Sequence, residues 1–394
     1  MEFPSPKGFE YAVTEAGIKY HNRNDLALIF SKKPAQVAGV FTTNQIKAAP
    51  IKLCMKRIKS GVAQAVIINS GNANACTGKK GIEDAEEITK KVAEKLGINQ
   101  SLVYPLSTGV IGNPMPMERI IPAVDKLIEN IGKAEPIQIA QAMMTTDTFP
   151  KMFSKQIEAE NGIITVLGIC KGAGMIAPNM ATMLCVILTD AKIDSEILKD
   201  TLKFAVSDSF NSITIDGDMS TNDTVLLLAN GESETAKIDR KSKLFKVFRE
   251  AIHETCLELS KMIVKDGEGA TKFITINVKG AKTSSDARRI AKTVANSPLV
   301  KTAFYGGDPN WGRIIAAIGY SGASVKEDKI EIYMGGVCLF YRGLPTMKET
   351  EIEELLKERE IEVLINLNEG HGKARVFTTD LSEEYVRVNS AYRT

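Results

Sequence analysis

Apolar and polar positions follow two periods along the chain. A period near 3.6 runs through 81–97 (GIEDAEEITKKVAEKLG), which has an acidic first turn and stops on Gly97. It recurs at 116–132 (PMERIIPAVDKLIENIG) and 242–264 (SKLFKVFREAIHETCLELSKMIV), so three helices are predicted there. Apolar, β-branched runs of strand length occur at 162–170, 182–190, 224–230, 272–278, 328–334 and 361–367. QVAGVFT (36–42) and QAVIINS (64–70) are also strand-like. Strands and helices alternate only loosely, and several strands follow one another directly. That favours a layered α/β architecture over a strictly parallel doubly wound sheet. No internal repeat, low-complexity tract or long linker breaks the pattern.

Composition narrows the class without naming a reaction. The 394 residues are 44% apolar and 25% charged, with 50 basic against 48 acidic side chains and a net charge of +2. These are the proportions of an ordinary globular enzyme, and they argue against an obligate nucleic-acid binder. No apolar run reaches the length of a membrane span, and MEFPSPKGFEYAV lacks the charged start and apolar stretch of a signal peptide. Cys54, Cys76, Cys170, Cys185, Cys256 and Cys338 have neither CxxC nor zinc spacing, so they read as reduced cytosolic thiols. Residues 31–80 hold nine Lys or Arg and no acid, with Phe41 as the one aromatic. A solvated basic rim explains this better than a nucleic-acid patch, which needs interleaved aromatics. A small anionic ligand is the remaining alternative.

Several motifs imitate known chemistry and fail on context. Gly172-Ala173-Gly174-Met175-Ile176-Ala177 is a GxGxxA after a strand, with Asp190 eighteen residues after Gly172. A dinucleotide fingerprint needs a helix to open at that point, and Pro178 with Asn179 interrupts instead. DGDMSTND (216–223) imitates a calcium loop but has Thr221 where the turn glycine belongs and Leu227 where the bidentate glutamate belongs. It reads as a polar turn. His253 reads as a packing or surface histidine in its helix, and His21 and His371 have no ligand spacing.

The run from Lys171 to Leu184, KGAGMIAPNMATML, is harder to dismiss. Its glycines and proline crowd the approach to Thr182, which opens an apolar strand. The simpler reading is a flexible connection in which Thr182 is a β-former. The sharper one is that a strained Ala181–Thr182 peptide is attacked by the Thr182 hydroxyl, and the resulting ester hydrolyses. A new N-terminal threonine would then carry nucleophile and base together. LSTGVIG (106–112) has the accessible glycine amides and a neighbouring hydroxyl that an oxyanion site needs, or it is a turn closing a strand.

KGAGMIAPNMATML resembles the self-cleavage signature of the ornithine acetyltransferase (glutamate N-acetyltransferase) family. NSGNANACTG (69–78), STGVIG (107–112), TTDT (145–148), DGDMSTNDT (216–224), DGEGATK (266–272), GGDPNWGR (306–313) and VNSAYRT (388–394) occur in that family's order. The resemblance covers essentially the whole chain. It implies a layered α–β–β–α sandwich with a smaller C-terminal α/β lobe from about residue 280. It also implies a cut between Ala181 and Thr182 that divides the chain into 1–181 and 182–394. Such fragments stay together as an α2β2 heterotetramer. Residues 1–181 carry 21 basic and 16 acidic side chains (+5), and the remainder 29 and 32 (−3).

The resemblance further implies that Thr182 is the nucleophile and that Thr108 with Gly109 forms the oxyanion hole. Thr145, Lys171, Thr182, Glu268, Asn389 and Thr394 match the family's substrate contacts. The implied reaction moves the acetyl group of N2-acetyl-L-ornithine to L-glutamate by a ping-pong route in arginine biosynthesis, in the cytoplasm, with no metal or organic cofactor. Acetyl-CoA is left open as a second donor. Lys171 is suited to a substrate carboxylate and Glu268 to a cationic end, although Glu268 alone would pass for a surface acid in a Gly-rich loop. A hydrolase with the same self-processing threonine, and a binding protein on the same scaffold, are the other classes to be separated.

Overall fold

The computed structural model describes residues 3–177 and 183–391. Ala181, Thr182 and Thr394 lie outside the described residues. The chain divides into two compact units. The first comprises 1–172, 178–211 and 219–260; the second comprises 173–177, 212–218 and 261–394.

In the first unit the strands are β1 (Phe9–Thr14), β2 (Leu26–Phe41), β3 (Val62–Asn69), β4 (Val103–Ser107), β5 (Lys151–Ala159), β6 (Gly162–Lys171), β7 (Leu184–Thr189) and β8 (Thr224–Ala229). The helices are α1 (Ala49–Arg57), α2 (Gly78–Leu96), α3 (Met117–Glu129), α4 (Pro136–Met143), α5 (Ser195–Ser207) and most of α6 (Lys243–Lys265). One eight-stranded sheet runs β4-β3-β2-β8-β7-β6-β5, with β1 also on β2. Every residue of β7 (LCVILT) and β8 (TVLLLA) is buried, the unbroken apolar pattern of central strands. The edge strand β5 keeps a partly exposed pattern.

A break in β2 turns this one sheet into two layers. The first half of β2 pairs with β1 and β3, and residues 36–41 pair with β8, with the β2–β3 register shifting between Phe30 and Ala35. The exposed Lys32-Lys33-Pro34 sits at the shift, where proline withholds no ladder hydrogen bond that a central strand would need. Ile29, Ile68 and Leu106 from one half then share a core with Ile169, Val186 and Leu226 from the other, joined by Ile139 and Met143 of α4. The outer face of the first half, including Leu28 and Ile67, packs on Val92 of α2 and Val124 of α3. On the other outer face α6 lies so close to β6 that a Cβ at Gly168 would come within 2.5 Å of Leu259. The α–β–β–α layering expected from the resemblance is therefore present, with its two β layers joined as one hydrogen-bonded sheet. Phe204 of α5 stacks at a tilt on His253 of α6, 5.5 Å between ring centres, which gives His253 its packing role.

The second unit is a mixed six-stranded sheet, β12 (Leu344–Pro345), β11 (Val337–Tyr341), β10 (Glu331–Met334), β13 (Glu360–Asn366), β9 (Phe273–Ala281) and β14 (Gly372–Thr379) in spatial order. Here β9 pairs in parallel with β13 and antiparallel with β14. Ile274, Ile276 and Val278 of β9 pack on Ile290 and Val294 of α7 (Ser284–Asn296) and on Ile314 and Ile318 of α9 (Trp311–Gly319). Between these helices lies α8 (Pro298–Tyr305), and α10 (Glu383–Ser390) closes the described chain.

Candidate active site

Two polar assemblies of the first unit sit at strand ends. At the end of β4, the Thr108 N–H donates to Asn69 O (3.0 Å) and the Val110 N–H to Gly71 O (3.3 Å). Gly109 lies between them with φ +135°, and a Cβ there would fall 2.2 Å from the Gly71 carbonyl carbon, so only glycine fits. Among the described residues neither the Gly109 N–H nor the Thr108 hydroxyl has a hydrogen-bond partner, and both residues are half-buried. Two adjacent donors are thus left unspent at a rigid turn, as an oxyanion site requires. The rigidity comes from buried amides. Asn222 donates to Ala73 O (2.6 Å) and Ser107 O (2.8 Å), Asn69 to Asn72 O (2.9 Å), and Asn72 to Pro114 O (2.9 Å).

At the end of β6, Lys171 donates from Nζ to Thr145 Oγ1 at 2.8 Å. Beneath it lies Asp147, fully buried with its neighbour Lys151 at 2.8 Å, while Lys171 Nζ is 3.8 Å from the same carboxylate. Asp147 also accepts the Gly172 N–H (2.7 Å) and the Thr145 N–H (3.0 Å). Burial alone would raise the Asp147 carboxyl; Lys171 and Lys151 together with the Thr145 amide outweigh it and hold the group well below the carboxylate range. Asp223, just before β8, goes the other way. Burial raises it well above its ordinary value, only partly countered by the Ser220 hydroxyl and the Lys171 charge, and its Oδ2 lacks a partner among the described residues.

The second unit holds the rest. Residues 173–177 form no helix, which removes the dinucleotide reading, and Asp190 instead accepts the Thr165 N–H (2.9 Å) and the Lys7 N–H (3.0 Å). Met175, at φ +56°, and Ile176 donate their N–H groups to the two oxygens of Asp216, at 2.6 and 2.8 Å. Ala173 O accepts from the Glu268 N–H (2.8 Å). A Cβ on Gly174 would lie 2.3 Å from Glu268 Oε2, so the second glycine of the GAG run is what admits that carboxylate. Asn389 donates to Glu268 Oε2 at 2.9 Å. Glu268 is buried, which its Gly-rich sequence context did not suggest.

Of the residues singled out by sequence, Thr145 and Lys171 meet directly, Glu268 and Asn389 meet directly, and Thr108 with Gly109 forms a separate turn. Asp147, Asp216, Asp223 and Asn222 escaped sequence reading. Asp147 stands in the TTDT motif, and the other three in DGDMSTND, but no spacing assigns them roles. No group of three or more His, Cys, Asp or Glu side chains among the described residues could hold a metal ion. No helix among them is long and apolar enough to cross a membrane.

A mixed α/β scaffold whose unspent polar groups gather at strand ends is the form of a small-molecule enzyme. The sequence model of the ArgJ family matches residues 10–394. The chain is 50% identical over 390 residues to the arginine biosynthesis bifunctional protein ArgJ of Geobacter sulfurreducens, covering 98% of this chain and 99% of that protein. It is 47% identical over 394 residues to the protein of that name from Caldanaerobacter subterraneus, covering 99% and 98%. A crystal structure of ArgJ from Bacillus halodurans is 41% identical, with a TM-score of 0.51, and spans 52% of this chain and 98% of its own. This chain belongs to the ArgJ family.

One pH effect follows from the second unit. Lys301 of α8 is buried, donating to Thr379 Oγ1 (3.0 Å) and to the Thr379 carbonyl; burial lowers it to about 8, although Asp380 and Asp216 pull the other way. Below that pH both the folded and unfolded chains hold the proton and the burial cost is fully present. From about 8 to 10.5 the folded chain has already lost a proton that the unfolded chain keeps, so stability rises with pH. Thermal melts of Lys301→Met should therefore lose ground to the native protein across that window. A stability difference independent of pH would contradict the depressed lysine.

Proposed function

We propose that the chain is a self-processing acetyltransferase that moves the acetyl group of N2-acetyl-L-ornithine to L-glutamate. The observation that carries the reading is the cross-strand pairing of Lys171 with Leu184, which holds both ends of the segment containing Ala181–Thr182 in the middle of the sheet. The length of the solved Bacillus chain supports a cut: 98% of it spans 52% of this chain, and residues 182–394 would be a little over half of 394. The relatives' name places them in arginine biosynthesis.

In processing, the Thr182 hydroxyl attacks the Ala181 carbonyl carbon, the amide becomes an ester, and water releases the Ala181 carboxylate and a free Thr182 amine. In transfer, Thr182 Oγ attacks the acetyl carbonyl of the donor while that amine takes its proton. The Thr108 hydroxyl and the Gly109 N–H hold the oxyanion. Ornithine departs with the proton, and the amine of glutamate then takes the acetyl group from the Thr182 ester. Lys171 with Thr145 serves the substrate carboxylate, and Glu268 with Asn389 the cationic end; Thr394 completes the substrate contacts. The two fragments remain associated as α2β2 in the cytoplasm. No metal or organic cofactor takes part, and acetyl-CoA stays open as a second donor.

Incubation with N-acetylornithine and glutamate should yield ornithine and acetylglutamate. Acetate without acetylglutamate would make the protein a hydrolase, and no turnover would leave a binding protein; a parallel reaction with acetyl-CoA tests the second donor. Thr182→Ala should run as one band of about 43 kDa on a denaturing gel and be inactive, the intact mass being 42.9 kDa. Two fragments from that variant would refute self-cleavage at this peptide. Thr108→Ala should lower turnover about 10²-fold or more, the loss expected for an oxyanion donor. Unchanged kinetics would reduce the turn to a structural one.

A further inference from the structure

The buried acid beneath Lys171 has no part in the transfer chemistry, yet it touches three of the segments around that lysine. Asp147 joins the end of β6 through the Gly172 N–H, the 145–147 loop through the Thr145 N–H, and β5 through Lys151. Its two nearest charges are unequal. Lys151 contacts Oδ1 at 2.8 Å with both side chains fully buried, whereas Lys171 stands 3.8 Å from Oδ2 and keeps about a tenth of its side chain exposed. An ammonium at 2.8 Å is a charge-assisted hydrogen bond; one at 3.8 Å is attracted but not hydrogen-bonded. Lys151 therefore takes up the strong contact of the carboxylate.

The consequence falls on Thr145. Lys171 Nζ donates to Thr145 Oγ1 at 2.8 Å, so that oxygen is an acceptor in this contact and its hydroxyl hydrogen is turned elsewhere. Lys171 keeps N–H bonds to give, and Thr145 keeps an O–H. Two such donors side by side, one at the end of β6 and one on the 145–147 loop, match the two oxygens of a carboxylate. The Thr145 backbone is fixed by the same Asp147 that steadies Lys171 through Gly172.

We propose that Asp147, paired with Lys151, is the positioning residue that sets Lys171 and Thr145 as a two-donor clamp for the α-carboxylate shared by the acyl donor and the acceptor amino acid. This rests on the transferase reading above. Asp147 touches no substrate and moves no proton; it holds the lysine in place without taking up its donors.

The test is steady-state kinetics of Asp147→Asn in the full-length protein, with donor and acceptor varied separately. KM for both should rise about ten- to a hundredfold, the scale on which a misplaced contact acts, while kcat stays within about threefold. The native enzyme's preference for glutamate over its α-carboxamide analogue should collapse in the same variant. Because a neutral amide in place of Asp147 would strand a buried Lys151, the paired replacement Asp147→Asn with Lys151→Met removes both charges and provides a second folded test. It should reproduce the KM effect, and Asp147→Glu should recover part of the loss. Unchanged KM for both substrates, or an unchanged carboxylate preference, in a variant that melts as the native protein does would overturn the proposal. Failure of the transferase reading is distinct, since the native protein would then make no acetylglutamate at all.

Discussion

The antiparallel ladder between β6 and β7 is the constraint on which the rest of the first unit depends. It pairs Val166 with Thr189 through Lys171 with Leu184, so the chain leaves the sheet at one residue and returns beside it after a twelve-residue excursion, 172–183. Hairpins of that size are uncommon, since most need two to five connecting residues. The excess length supplies the glycine-rich run and the peptide at which the cut is proposed. The ladder keeps both ends of that excursion within one strand spacing of each other whether or not the peptide bond between them survives. Lys171 also owes its place to the ladder, being the last paired residue of β6.

Around that fixed point the protein relies on satisfied polar groups. Buried amides and hydroxyls are costly when unpaired, so a network in which they are paired specifies a single backbone arrangement. Asn69, Asn72 and Asn222 between them bond five carbonyls around the Thr108–Gly109 turn. The groups left over are then informative. The Thr108 hydroxyl and the Gly109 N–H are without partners among the described residues, next to a network in which almost everything else is bonded.

The sequence carried its strongest signals where burial is most complete. The runs at 162–170 and 224–230 match β6 and β8 almost residue for residue, because a central strand has no exposed face to dilute its pattern. The 36–42 run is only the second half of β2; Lys32-Lys33-Pro34 looks like a strand boundary and is instead a register shift inside one strand. The helix at 81–97 begins three residues earlier, so its acidic residues stand behind the first turn, although Gly97 ends it in the left-handed conformation as expected. Among the candidate site residues, Thr108, Gly109, Thr145, Lys171, Glu268 and Asn389 were reachable through the family resemblance. Asp147 and Asp216 were not, because what marks them is a set of backbone amides brought together by folding, and those leave no trace in residue spacing.

The same architecture answers what would hold two fragments together. In the strand order β4-β3-β2-β8-β7-β6-β5, the two strands that follow residue 182 lie between β2 and β6, which precede it. Separating the pieces would strip β7 and β8 out of the middle of the sheet and break six paired positions on each outer side. Each large aliphatic side chain these strands bury is worth about 1.5–3 kcal/mol, so their combined contribution is of order ten kcal/mol or more. The opposite charges of the two segments, +5 and −3, act mostly through exposed side chains, where an ion pair contributes about 0–1 kcal/mol. Charge is therefore the minor term. A cut in the β6–β7 connection would be retained by the sheet itself, and the cost of losing that covalent bond falls on a loop whose two ends the ladder already holds.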